Sequence, residues 1–192
     1  MKLLAVTCLA TSVAAGVAQP AGYLAGRDIK AIAGVMNDVG RVVDDLDAQI
    51  RAYTNSTTAV EEAAQAVIQT LQKGRATVDA QPGLALHDAM GLRAPVKDLD
   101  FKGRRLLADC KARKADVENG GHCPLVRKIT ADINVHSKAL IDCTISKVPA
   151  VARNVARSVA KSLIKALEEG QSEFDQQHCL DKVPTAPAAI AE

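Results

Sequence analysis

The sequence predicts an all-α protein, an up-down bundle of about five helices containing disulfides. Three observations carry that prediction. Apolar residues recur every three or four positions in five separate segments, which places them on one face of a helix. No stretch alternates apolar and polar residues between hairpin turns, as half-buried strands would. Phe, Trp and Tyr together make up only 2% of a chain that is 48% hydrophobic, so the interior must be built from Ala, Val, Leu and Ile.

The first helix is expected from Asp28, just after Gly26, to about Tyr53. Its stripe is Ile29, Ile32, Val35, Val39, Val42, Leu46, Ile50 and Tyr53. The polar run Thr54-Asn-Ser-Thr-Thr58 ends it, and Thr57 or Thr58 is placed to cap a second helix. Glu61 and Glu62 complement the dipole of that helix, and Val60, Ala63, Val67 and Leu71 form its stripe. Gln81-Pro-Gly83 closes the region, and Leu84–Gly91 is a short apolar segment. Pro95 suits the first turn of a third long helix carrying Val96, Leu99, Gly103, Leu106 and Cys110. Glu118-Asn-Gly-Gly121 is a stop signal. Pro124 opens a fourth helix with Val126, Ile129, Ile133, His136, Leu140 and Cys143 in register. Pro149 opens a fifth with Ala152, Val155, Val159, Leu163, Ala166, Gly170 and Phe174.

The ends read differently. Residues 1–18 have the form of a signal peptide: Lys2, an apolar run from Leu3, and small residues Gly16-Val17-Ala18 at the cleavage position. That run is too short for a membrane span. Residues 19–27 are expected to form a short linker, 28–179 the bundle, and 180–192 a mobile Pro/Ala-rich tail. The tail lacks the apolar stretch of a glycolipid-anchor signal. A secreted protein, extracellular or at a cell wall, is the expectation.

Outside the leader the chain has Cys110, Cys123, Cys143 and Cys179, an even number that suggests two disulfides in an oxidising compartment. Three pairings exist. Cys123 lies about 30 Å along an unbroken fourth helix from Cys143, so any pairing of Cys143 demands a helix break, a folded-back tail or an intermolecular bond. Pairing Cys123 with Cys179 or with Cys110 is easier. Charge is uneven along the chain: Phe101–Lys165 holds 14 Lys and Arg against 5 Asp and Glu, although the formal net charge is only +2. A basic part of a bundle favours an anionic partner.

No nucleophile elbow, metalloprotease motif, phosphate loop or dinucleotide fingerprint is present, and no pair of catalytic acids is indicated. A non-enzymatic role is expected, with no cofactor. Asn55-Ser56-Thr57 is an N-glycosylation acceptor on an expected turn. The repeated dipeptides His122-Cys123 and His178-Cys179 contain zinc-type ligands without a compact metal spacing, and oxidised sulfur is the stronger reading. No metal is assigned. Arg153, Arg157, Lys161 and Lys165 form a basic ridge on the fifth helix, either as a solvated face or as an attraction for anionic headgroups or polymers. Without interleaved aromatics it does not read as a nucleic-acid surface. Gly103 and Gly170 fall on apolar stripes, where they allow close helix approach or leave room for a ligand. A ligand entering the bundle would meet Val39, Leu99, Gly103, Ile133, His136, Val155, Val159 and Gly170, although for His136 a hydrogen-bonded place in the core is the stronger reading.

The order of segments resembles a known family. Asp28-Ile-Lys-Ala-Ile32 leads to Val43-Asp-Asp-Leu-Asp-Ala-Gln-Ile50, then Ala94-Pro-Val-Lys-Asp-Leu99 and Lys111-Ala-Arg-Lys114. Ser137-Lys-Ala-Leu140, Lys147-Val-Pro149 and Gly170-Gln-Ser-Glu-Phe174 complete it. This pattern is similar to the fungal hydrophobic surface binding protein A family, which includes cell wall galactomannoproteins. The resemblance implies a secreted helical bundle without enzymatic activity that binds lipids, fatty acids or apolar surfaces. Cell-wall polysaccharide or a secreted enzyme is a further implied partner. The four cysteines and the basic segment depart from cysteine-poor members of the family. A rival reading is an inhibitor or effector that binds a partner protein through its basic face. Ser137-Lys-Ala-Leu-Ile-Asp-Cys143 is slightly similar to a segment of plant invertase and pectin methylesterase inhibitors, whose first cysteine pair lies much nearer the N-terminus.

Overall fold

The computed structural model describes residues 21–182, with side chains from Ile29 onward. The leader at 1–18 and most of the tail therefore lie outside the described residues. Seven α-helices follow one another: α1 (Ala21–Arg51), α2 (Thr58–Asp79), α3 (Leu86–Gly91), α4 (Arg93–Ala112), α5 (Lys114–Gly120), α6 (Cys123–Lys147) and α7 (Arg153–Glu173). Five are long, and α3 and α5 are short connectors. A single 3₁₀ turn, Ala150–Ala152, leads into α7. No strand occurs among the described residues.

Helix boundaries depart from the sequence expectation in three places. The α1 helix begins at Ala21, so most of the expected 19–27 linker is helical. Gly26 is the cause of the misreading: one glycine costs a helix interior only about 1 kcal/mol, too little to stop it. Thr57 does precede α2, but its side chain makes no capping bond; its carbonyl instead accepts from Glu61 N–H at 2.8 Å. The third long helix starts at Arg93, and α5 carries the chain on to Gly121, whose left-handed φ of 74° ends it.

The five long helices close into a ring in the order α1, α2, α6, α7, α4 and back to α1. Along the chain they alternate direction, as an up-down bundle should. In space, an odd-numbered ring cannot alternate all the way round. Pairs whose residue numbers climb together mark the parallel seams: Lys102 with Asp44 and Arg105 with Asp47 on α1–α4, Lys111 with Glu169 and Lys114 with Glu173 on α4–α7. Gln72 with His136 and Asp79 with Lys147 mark α2–α6 in the same way. Across α6–α7 the order reverses, with Lys138 meeting Glu168 and Arg127 reaching the carbonyl of Asp175.

These seams offset part of the charge asymmetry seen along the chain. Basic α4 lies between acidic α1 and the acidic end of α7, so Lys102, Arg105 and Lys111 meet carboxylates across the seams, while Arg93 and Lys97 stay exposed. The firmest of these pairings is buried. Asp47 is fully buried and accepts from Arg105 Nε at 2.9 Å, while Arg51 stands 3.1 Å away. Burial holds the Asp47 carboxyl above its ordinary range, and neighbouring Asp109 pushes the same way. Asp44, bonded to Lys102 and Arg105, is held below the usual range: its gain from those cations outweighs the opposing effect of burial.

The apolar stripes pack inward as one cluster that includes Ile32, Val35, Val39, Leu46, Val67 and Leu71. A second small cluster of Val117, Cys123, Phe174 and Cys179 sits at one end. There Cys123 and Cys179 form a disulfide with Cα atoms 5.6 Å apart. The second expected disulfide does not form. Cys110 and Cys143 are free thiols, Cys143 lying at the opposite end of α6 from Cys123, against the Arg75 carbonyl. Helix length keeps the two apart. Leu180 to Lys182, the start of the expected tail, is tied down: Asp181 accepts from Cys123 N–H at 3.0 Å, and Lys182 N–H donates to the Glu118 carbonyl.

Three outcomes test this arrangement. A Cβ at Gly74 would lie 2.6 Å from Val35 Cγ1, whereas none meets anything within 4 Å at Gly34. Denaturant titration should find Gly34→Ala stabilising by up to about 1 kcal/mol and Gly74→Ala destabilising. Peptide mapping without reduction should recover Cys123–Cys179 linked, with Cys110 and Cys143 as thiols. Burial, with Asp47 and Asp109 nearby, pushes the Cys110 thiol from 9.0 up to about 12. Between those values the folded chain keeps a proton that the unfolded chain has lost, so stability falls as pH rises through the window. Cys110→Ala should flatten that alkaline decline in pH-dependent unfolding.

Candidate functional site

A ring of five helices leaves space along its axis that inward side chains must fill. Here they fill it incompletely. A cavity of about 340 Å³ runs along the axis, lined mostly by Ala, Val, Leu and Ile from all five long helices. Its wall follows α7 from Val155 to Phe174, a rise of roughly 28 Å. Short aliphatic side chains are the reason for the space: of the described Phe and Tyr side chains only Tyr53 and Phe174 line it, both at one end.

One end is open. Leu86 and Met90 on α3 and Val155 on α7 line the cavity yet are 51%, 61% and 64% exposed. Val151, beside them in sequence, is exposed as well. Arg93, at the start of α4, is exposed on the same rim and forms no ion pair among the described residues. Exposed large aliphatics around an opening are costly unless something covers or enters it.

The other end is closed and more polar. Tyr53, Thr57, Arg113 and His122 line the cavity there, beside Val117 and Phe174. Tyr53 and His122 meet edge-on, ring centroids 6.3 Å apart and planes at 83°. Gly120 makes this possible, since a Cβ there would lie 2.7 Å from the His122 ring and 3.0 Å from the Tyr53 oxygen.

The α4–α7 seam is a pair of reciprocal notches. Gly103 on α4 receives Leu163 of α7, with 3.4 Å from a notional Cβ to the leucine methyl. Gly170 on α7 receives Leu107 of α4 at 3.5 Å. Both glycines also face the cavity. The two sequence readings, close approach and room inside, describe the same positions.

The structure brings Val39, Leu99, Gly103, Ile133, Val155, Val159 and Gly170 to the cavity wall. His136 is elsewhere. It sits at the α2–α6 seam, where Gln72 Nε2 lies 3.2 Å from its Nε2, because its turn of α6 presents Ile133 and Ser137 inward instead. The basic ridge divides. Arg153 donates to the carbonyls of Val148 and Ser146 and closes the turn before α7. Arg157 donates to Asn154, and Lys161 and Lys165 are exposed. Asn55 is exposed in the α1–α2 turn, with a left-handed φ of 72°. His178 pairs with Asp175 at 2.8 Å, and both neighbouring cysteines are consumed by the disulfide. Sequence reasoning missed the polar closed end. Tyr53 counted only as the last residue of a stripe, although a phenol there was the available signal.

Solved structures share this architecture. Ligand binding domain 1 of the Penicillium marneffei MP1 protein, complexed with arachidonic acids, superposes with a TM-score of 0.74 at 23% identity, over 78% of this chain and 99% of that one. Ligand binding domain 2 of the same protein, complexed with multiple arachidonic acids, gives 0.73 at 18% identity, over 77% and 96%. AFMP4P in complex with palmitic acid gives 0.71 at 15% identity, over 77% and 99%. At such identities the likeness establishes the fold. No curated protein sequence matches the chain. The sequence profile of hydrophobic surface binding protein A matches residues 29–146, which span α1 to nearly the end of α6. The chain belongs to the hydrophobic surface binding protein A family.

Proposed function

We propose that this chain is a secreted, non-enzymatic lipid-binding protein that takes one long acyl chain, such as that of a fatty acid, into the axis of its helical ring. One observation carries the reading: an aliphatic cavity open at a rim of exposed Leu86, Met90 and Val155. Its volume falls within the range of small-molecule sites, and its length and apolar lining suit an extended hydrocarbon. Each methylene transferred from water contributes about 0.8 kcal/mol, so a long chain supplies ample driving force without any specific polar contact. The arachidonic and palmitic acids bound by the structural neighbours support the same ligand class.

The leader-like residues 1–18, the Cys123–Cys179 disulfide and the exposed sequon at Asn55 support a secreted, glycosylated protein at a fungal wall or exterior. No described helix is long and apolar enough to cross a membrane. The basic face supports the rival role as an inhibitor or effector less well, because α4 is partly neutralised across its seams and Arg153 is engaged with backbone carbonyls.

Native mass spectrometry should detect one acyl-chain adduct, or uptake of added palmitate. Shortening the fatty acid by two methylenes should weaken binding by roughly 15-fold. Val159→Trp, which projects bulk into the axis, should reduce uptake strongly while circular dichroism stays helical. Absence of both adduct and uptake in the unsubstituted protein would remove the cavity reading.

A further inference from the structure

The cavity has two unlike ends, and nothing in the acyl-chain reading says which end receives the polar head. The rim at Leu86, Met90 and Val155 is aliphatic, with Arg93 beside it. At the closed end four polar side chains line the same cavity: Tyr53, Thr57, Arg113 and His122. Among them the Tyr53 hydroxyl is buried and has no hydrogen-bond partner among the described residues. A phenol oxygen in that position costs free energy unless something accepts from it, and such groups in native proteins call for an explanation.

The surroundings define what would accept. Burial, with Asp116 nearby, holds the Tyr53 phenol protonated beyond its ordinary range, so it is a donor. Arg113 donates to the Arg51 carbonyl and to Asp116 at 3.2 Å, which leaves further N–H groups of its planar fork unused. The Thr57 hydroxyl makes no capping bond with α2. His122, held edge-on against Tyr53, adds a ring nitrogen. Donors therefore predominate, and one of them is a guanidinium. Asp116 partly offsets that charge, which favours a small acceptor drawn close to the phenol over a bulky polyanion. Gly120 is what lets Tyr53 and His122 share this end, since any side chain there would meet both.

We propose that the closed end is a headgroup subsite in which Tyr53 and His122, with Arg113 behind them, bind the carboxylate of a fatty acid that enters head first. This rests on the acyl-chain reading and gives it an orientation: carboxylate at the Tyr53 end, methyl terminus at the Met90 rim.

The test uses C16 probes that differ only at the head, palmitate and hexadecane, and the variants Tyr53→Phe and Arg93→Gln. Tyr53→Phe removes one oxygen and should weaken palmitate binding about tenfold or more, while leaving hexadecane uptake unchanged. Arg93→Gln should change neither. With no Trp and only two Tyr in the chain, Tyr23→Phe leaves Tyr53 as the sole source of tyrosine signal. In that background palmitate should perturb the tyrosine ultraviolet difference spectrum and hexadecane should perturb it far less. Equal loss of both probes in Tyr53→Phe would make Tyr53 a packing residue and overturn the subsite. So would unchanged palmitate binding in Tyr53→Phe, or a loss confined to Arg93→Gln, which would place the carboxylate at the rim. Failure of the unsubstituted protein to take up either probe would instead overturn the acyl-chain reading itself.

Discussion

Closing the ring is the constraint on which everything else in this molecule depends. Five helices joined edge to edge enclose an axial space wider than two facing aliphatic side chains can span. The space persists only because α4 is held against both α1 and α7. On the α1 side that hold is the Asp47–Arg105 pair, a buried carboxylate flanked by two guanidinium groups that oppose part of the cost of its removal from water. On the α7 side it is the exchange of leucines into glycine notches at Gly103 and Gly170. Were α4 to move inward, the ring would collapse to an ordinary filled bundle with its core satisfied by Val and Leu alone.

The aliphatic composition also explains why the interior is adaptable. Val, Ala, Leu and Ile supply most of the shaft, with Thr130, Ser137 and Thr144 of α6 and Gln171 of α7 among them, so position along it is set chiefly by shape and by the ends. The side chains change character most at the two termini of the cavity.

Much of the fold was legible in the sequence because each long helix writes its buried face as a three-four stripe. Ile32, Val39, Leu46, Val67 and Leu71 are core residues where periodicity put them. Helix starts were less legible. A lone Gly26 looks like a boundary in sequence but has too little energetic weight to make one. Neighbour order around the ring was not legible at all, since a stripe says that a face is buried and not against what. Its trace lies in charges rather than hydrophobes: Asp44 and Asp47 on α1 match the spacing of Lys102 and Arg105 on α4, a complementarity meaningful only once the two helices are known to run parallel. Seven of the eight expected interior residues reach the cavity wall, because they lie on stripes that converge. His136 shows the limit of the method: a stripe on α6 is wide enough to serve both the axis and the α2 seam. The unpaired Cys110 and Cys143 show another, since an even cysteine count carries no information about distance.

The Cys123–Cys179 disulfide spans 56 residues and encloses α6 and α7. It divides the wall into two lobes of different character. One is a covalently closed hairpin, and the other is α1, α2 and α4 joined only by packing and ion pairs. Where the lobes meet, at α2–α6 and α4–α7, the polar links are mostly exposed and individually weak, so side-chain packing carries those seams. The wall of the cavity is thus closed covalently along one hairpin and by non-covalent contacts alone along the rest of its circumference.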